Sequence, residues 1–307
     1  MKITLLQKQR SSFMGYKLLL LFEKILMLLP HKARKAFFTF LAYIGYGLSK
    51  KYRNIARQNL NFVFNNSMSE DEIKEITKYS FKNLLHNFLY LMEMRNLPKE
   101  EIQKKITIIN REAVDKVHAQ GRAVIYVTSH YCVWELGASA LSIEIESIAA
   151  VYKKLKNSIY EQWLLEARSS FGNTNLEKTN VVKPLIKLIR EGKASGILID
   201  TNINEKEGVL INFMGKTLRQ TATPAYLARK FNAAIIPVYI RTDDEENYTI
   251  IIEDEIKVNK TDDEEKDILE ATQAQADWLS RIITKEPKFW FWIHRRFKND
   301  HPEIYQD

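Results

Sequence analysis

His130 and Glu135 are the two side chains in this sequence whose types and spacing best suit chemistry. An imidazole titrates near neutrality, so it can take a proton from a hydroxyl and return it. A carboxylate beside it can bond the other ring nitrogen, fix the tautomer and stabilise the imidazolium. Five residues on a regular helix turn through about 500°, so the two cannot share a helical face. They meet only if His130 sits on a loop and Glu135 in the first turns of the helix that follows. Backbone amides at that helix start then become available to an oxyanion. A histidine and a glutamate five apart are nevertheless common, and a histidine satisfied by local hydrogen bonds accounts for the spacing as well. Cys132, the one cysteine, reads as a small buried residue rather than a nucleophile, since no second histidine is near it in sequence.

The elements around the pair predict the required arrangement. The β-branched run Ala123-Val124-Ile125-Tyr126-Val127 follows Gln120-Gly121 and reads as a buried strand, with a helix from about residue 133 to 143. His130 therefore lies just past a strand, where ligands and catalytic groups gather in open α/β sheets. Further strands are expected at 148–152, 196–200, 234–240 and 248–252. Helices are expected at 159–169, 184–190, 223–231 and 264–284, and the aromatic block 289–297 closes the core. Strands alternating with helices imply an α/β fold, with a mostly parallel central sheet flanked by helices. The first hundred residues read as helical instead. Ser69-Glu70-Asp71-Glu72 is a capping box opening a helix that stops near Asn96-Leu97-Pro98.

Ahead of that helix lie two apolar runs, Phe13 to Leu29 and Ala36 to Leu48. They are separated by His31-Lys32-Ala33-Arg34-Lys35 and followed by Lys50-Lys51-Tyr52-Arg53. The first run is short for a span and carries Glu23-Lys24 in its middle. Apolar helices flanked by basic clusters and aromatics suit a hairpin lying in the interface of an anionic leaflet; a single tilted span and a pair of core helices are the alternatives. The expected division is an N-terminal membrane-associating segment, 1–50, and a catalytic domain, 51–307. The latter has a helical lead-in at 51–97 and an α/β core at 105–307. No small-residue cleavage site follows the apolar run, so a secretory signal peptide is not expected.

The chain has 307 residues and a net charge of +8, a basic balance that suits an anionic partner: nucleic acid, an anionic bilayer or a phosphorylated substrate. Nucleic acid is disfavoured, because no recognised module is visible and the basic residues do not gather on one element. One cysteine allows no internal disulfide, which fits a reducing compartment or a cytosol-facing surface. The six histidines are scattered without metal-ligand spacing, and no phosphate-binding G-x-x-x-x-G-K-S/T motif appears. No G-x-S-x-G motif suggests a covalent serine intermediate.

Several segments together resemble the lipid A late acyltransferases, the lauroyl and myristoyl transferases. Ser129-His130-Tyr131-Cys132-Val133-Trp134-Glu135-Leu136-Gly137 resembles that family's H-x4-D/E box, a box that glycerolipid acyltransferases also carry. Val151 to Asn157 resembles V-Y-R-P-L-K-N, and Gly196 to Asp200 is similar to G-x-L-x-D-Q. Phe213-Met214-Gly215 through Thr221, Thr223, Pro224, Leu227-Ala228 and Ile236-Pro237-Val238 follows F-F-G…A-x-T…L-A…P. Trp292 to Lys298 is similar to W-x-H-R-R-F-K. The departures are Lys153-Lys154 for Arg-Pro, Thr201 for the Gln after Asp200, and the Tyr-Cys-Val filling of the box. The resemblance implies transfer of a fatty acyl group from an acyl-carrier-protein thioester to a hydroxyl of a lipid A precursor, on the cytoplasmic face of the inner membrane. His130 would be the general base, oriented by Glu135, and transfer would be direct within a ternary complex. The implied partners are acyl-carrier protein, an anionic phosphorylated glycolipid and the membrane. Neither a metal nor a cofactor is expected, acyl-carrier protein bringing a co-substrate. Acyl transfer to another glycolipid or to a glycerophospholipid, or non-catalytic lipid binding, are the competing readings.

Three more residues are candidate substrate-binding groups. Arg168 ends an amphipathic helix, where phosphate binding and a solvated surface are both open. Asp200 ends a buried strand at the productive edge of the sheet. Arg219, in Lys216-Thr217-Leu218-Arg219-Gln220 before a helix, can bind an anionic headgroup or be an exposed loop charge. His294-Arg295-Arg296 can bind phosphate or close the fold by packing, and the packing role is favoured.

Overall fold

The computed structural model describes residues 2–306, with side chains from Met14 onward. Four helices come first: α1 (Lys2–Met27), α2 (His31–Leu48), α3 (Lys50–Val63) and α4 (Glu70–Asn96). The Ser69–Glu72 capping box is made in both directions, which satisfies two amides that a helix start otherwise leaves unpaired. After the short α5 (Lys99–Gln103), the chain alternates: β1 (Ile106–Ile109), α6 (Glu112–Ala119), β2 (Val124–Thr128), α7 (Trp134–Glu144), β3 (Ile148–Tyr152), α8 (Ser158–Arg168), β4 (Thr174–Glu177), α9 (Val182–Arg190) and β5 (Ala194–Leu198). A hairpin, β6 (Gly208–Phe213) and β7 (Lys216–Thr221), precedes α10 (Thr223–Phe231), β8 (Ala234–Arg241), β9 (Tyr248–Ile252) and α11 (Glu264–Lys285).

Seven strands form one sheet in the order β1-β9-β8-β2-β5-β3-β4. All neighbours run parallel except β8 and β9, which the short charged turn Asp243–Asn247 joins as an antiparallel pair. β2 is central, and Val124 to Val127 are buried on both faces, as a parallel core strand must be. The expected α/β class and mostly parallel sheet are thus observed. Sequence periodicity did not reveal β1, β4 or the β6–β7 hairpin. Two of these are sheet-edge strands of four residues, and β6 and β7 form a separate sheet with each other.

The N-terminal helices are built with charge inward. Glu23, in the middle of the apolar run, is buried and accepts from Arg95, Asn96 and Trp163. Arg34 and His31 of α2 both reach the buried Glu93 of α4, at 2.9 and 2.7 Å. The outward surface is correspondingly apolar: Leu18, Leu21, Phe22, Ile25, Phe40, Tyr43 and Ile44 are exposed. No described helix is long and apolar enough to cross a membrane.

Candidate active site

The register of β2 on β5 brings the site together. Thr128 pairs with Leu198, so the residues two positions further on, His130 and Asp200, stand side by side beyond the carboxyl ends of adjacent strands. His130 Nδ1 lies 2.9 Å from Asp200 Oδ1, and the His130 backbone amide donates to Asp200 Oδ2, also at 2.9 Å. Trp290 Nε1 donates to the same Oδ2 at 2.9 Å. With a carboxylate at Nδ1, that nitrogen carries the proton and Nε2 keeps its lone pair for a substrate. Burial alone would raise the pKa of Asp200. The imidazole of His130 and the hydrogen bonds from His130 and Trp290 outweigh it and hold the carboxyl well below the usual range.

Two surrounding segments fix the loop that carries His130. From the C-terminal aromatic block, Cys132 N donates to Phe289 O at 2.8 Å, and Phe291 N donates to His130 O at 3.0 Å. From α4, Asn83 and Asn87 both donate to Cys132 O, at 2.6 and 3.2 Å. Asn87 Oδ1 accepts from the Glu135 amide. These bonds hold Cys132 at φ 51°, a turn an unsupported cysteine rarely adopts. Cys132 is fully buried, and burial pushes its thiol up to about 12, so it is no thiolate. Around the imidazole stand Trp134, edge-on with ring centroids 5.0 Å apart, Phe291 at 5.9 Å and the nearly parallel ring of His294 at 6.4 Å.

The required placement of His130 on a loop and Glu135 in the first turn of α7 is present. The bond expected from Glu135 to the imidazole, however, comes from Asp200. Both Glu135 oxygens are taken by Arg168, whose Nε and Nη2 donate at 2.9 and 2.6 Å, and Trp134 Nε1 donates to one of them at 3.3 Å. Burial works against the Arg168 charge, but the paired carboxylate more than offsets it and keeps the guanidinium protonated. Arg168, expected as a phosphate ligand or a solvated charge, is thus tied to the opening of α7. Arg219 sits on β7 rather than on a loop, and its side chain and amide are both held by Asp300. Asp200, expected to bind substrate, binds His130 instead.

Sequence reasoning missed Asn83, Asn87 and Trp290 as supports. Their only signal was a buried polar or indole group on an otherwise apolar face.

The sequence profile described as bacterial lipid A biosynthesis acyltransferase matches residues 7–299. The chain belongs to that family. A lipid A biosynthesis acyltransferase of Haemophilus influenzae is 22% identical over 303 residues, covering 96% of this chain and 92% of that protein. The Escherichia coli lipid A biosynthesis lauroyltransferase is 24% identical, covering 81% and 80%. The palmitoleoyltransferase of the same organism is 25% identical, covering 81% and 79%. Family membership therefore runs through every element that builds the His130–Asp200 site.

Proposed function

We propose that this protein is an O-acyltransferase of lipid A biosynthesis. It moves a fatty acyl chain from an acyl-carrier-protein thioester to a hydroxyl of a lipid A precursor at the cytoplasmic face of the inner membrane. The observation that carries the reading is the His130–Asp200 pair, in a chain of this family, with Nε2 left open beside an aromatic wall. His130 Nε2 takes the acceptor's hydroxyl proton as the oxygen attacks the thioester carbonyl carbon. The tetrahedral oxyanion collapses, the C–S bond breaks, and the imidazolium returns its proton to the leaving thiolate. Asp200 holds the tautomer and stabilises the imidazolium. Glu135 acts through Arg168: the pair braces the first turn of α7, which carries Trp134, and leaves Arg168 Nη1 to meet an anionic group of a substrate. Metal, cofactor and covalent enzyme intermediate are absent from this scheme.

The exposed apolar residues of α1 and α2 are proposed to rest in the bilayer interface, with Lys32, Lys50 and Lys51 near anionic headgroups. An acceptor of this size and charge keeps its acyl chains in the leaflet, so a surface-lying enzyme meets it there.

The test is transfer from a radiolabelled acyl-carrier-protein thioester to a tetra-acylated lipid A precursor in detergent, with His130→Ala beside wild type. Transfer by wild type that vanishes in the variant supports the reading. Folded wild type that transfers no chain length to this acceptor, yet acylates a glycerophosphate, would move the assignment to that acceptor.

A further inference from the structure

Arg296 is a charge that the reaction as written does not use. It is 1% exposed. Its Nη1 donates to the backbone carbonyls of Thr201 and Arg219. Its Nε and Nη2 are buried without a hydrogen-bond partner, and its guanidinium lies 5.8 Å from the Phe213 ring centre. No ion pair to it is made among the described residues, and Asp300 is engaged by Arg219. Burial draws the guanidinium down to about 10, against the fields of Asp200 first and Asp300 second. A buried, unpaired cation is costly, and a side chain needed only for packing would be better apolar. The residue that Arg296 grips, Thr201, is the one immediately after Asp200.

We propose that Arg296 is a positioning residue for the His130–Asp200 pair, clamping the chain just beyond Asp200 and supplying a fixed positive charge behind its carboxylate. The clamp keeps Oδ1 aimed at Nδ1. The charge stands in the field of that carboxylate and adds to the hold of His130 and Trp290, which keep it ionised where burial opposes it. The same charge opposes a proton resting on the pair before substrate arrives. Five other charged or titratable groups share this field: His294, Lys153, Asp300, Tyr305 and Arg219. The proposal rests on His130 being the base.

The experiment compares Arg296→Met and Arg296→Lys with wild type by kcat, KM and the pH profile of transfer. In Arg296→Met, kcat falls by about 10- to 100-fold with KM changed less than about threefold. The acid limb of kcat/KM moves up by about half to one pH unit, because one positive charge no longer opposes protonation of the pair. Arg296→Lys keeps the charge and restores the position of the acid limb, while recovering only part of kcat, since an ammonium cannot reproduce the guanidinium's planar grip. An acid limb unmoved in a folded Arg296→Met overturns the proposal, whatever happens to the melting temperature. Should Arg296→Met not fold, Arg296→Gln, which keeps a planar amide donor for the Thr201 carbonyl but no charge, is carried through the same pH profile: an acid limb moved up supports the proposal, and one left in place overturns it. The downfield Nδ1–H proton resonance of His130, identified by its loss in His130→Ala, needs no turnover. It shifts in Arg296→Met and returns toward wild type in Arg296→Lys if the proposal holds, and stays put if it fails. Retained turnover in His130→Ala would remove the base assignment while leaving this resonance to judge Arg296.

Discussion

Replacing Asp200 by asparagine tests the site most sharply, because it changes charge and almost nothing else. The geometry dictates the outcome. Oδ2 accepts from two donors, the His130 amide and Trp290 Nε1, while Oδ1 accepts from one, the imidazole Nδ1. An amide group cannot serve all three. Its oxygen stays where two donors meet, so its NH2 faces Nδ1. The ring answers by giving up that proton and carrying it on Nε2, where no lone pair then remains for the substrate hydroxyl. The charge is lost as well. A unit charge 2.9 Å from the imidazolium is worth about 6 kcal/mol at an effective dielectric of 20. Because the imidazole is about one quarter exposed, solvent screens part of this, and about 4 kcal/mol is a better expectation. At about 1.4 kcal/mol per decade, Asp200→Asn should lose roughly a thousandfold in kcat with KM little changed. The assay is single-turnover acyl transfer to a tetra-acylated lipid A precursor, with folding checked by thermal melting. A folded Asp200→Asn within about tenfold of wild type would refute the orientation argument. If Glu135→Gln lost a thousandfold at the same time, Glu135 would be the true partner.

Glu135→Ala leaves the Arg168 guanidinium without its carboxylate, so turnover should drop by about 10- to 100-fold, and Arg168→Met should fall with it. The double variant should cost little more than either single change, which a double-mutant cycle reads directly. Acid stability follows from His86 and His294, both drawn down by burial to about 4 from an ordinary 6.5. His86 faces Thr39, Lys82, Lys35, His31 and Glu245, and His294 faces His130, Asp200, Arg296 and Lys153. The unfolded chain binds these protons first. Stability is therefore complete above about pH 6.5 and is lost as pH falls toward 4, by at most about 3 kcal/mol per histidine. Denaturant midpoints between pH 7 and 4.5 check this, and His86→Gln should flatten part of the slope. Replacing Leu18, Phe22 and Ile25 by serine should weaken binding to anionic vesicles severalfold while leaving the melting temperature within a few degrees, since Leu18, Phe22 and Ile25 are already exposed. Cys132→Ala should keep its rate and lose about 1 kcal/mol of stability, because a buried sulfur is removed and no thiolate is used.

The sequence by itself determined the local pieces. A β-branched run bounded by turn residues can be read as β2, the capping box as the start of α4, and the boundaries of α10 as 223–231, because each signal lies within one stretch of chain. It also supplied His130, and the motif order placed the chain in its family. Which carboxylate reaches His130 was not legible there. Glu135 is nearest in sequence, yet Asp200 holds the ring because β2 and β5 are neighbours in exact parallel register, although β3 and β4 come between them along the chain. Strand order is settled by how the helices cover the sheet, a property of the whole packed molecule. The same holds for Arg168, whose place on Glu135 depends on α7 and α8 both packing against α4 rather than on any pattern within α8. Arg296 is the extreme case. In the sequence it is one basic residue in a basic run; only burial reveals a cation with no ion-pair partner among the described residues, because desolvation exists only once the chain has closed around it.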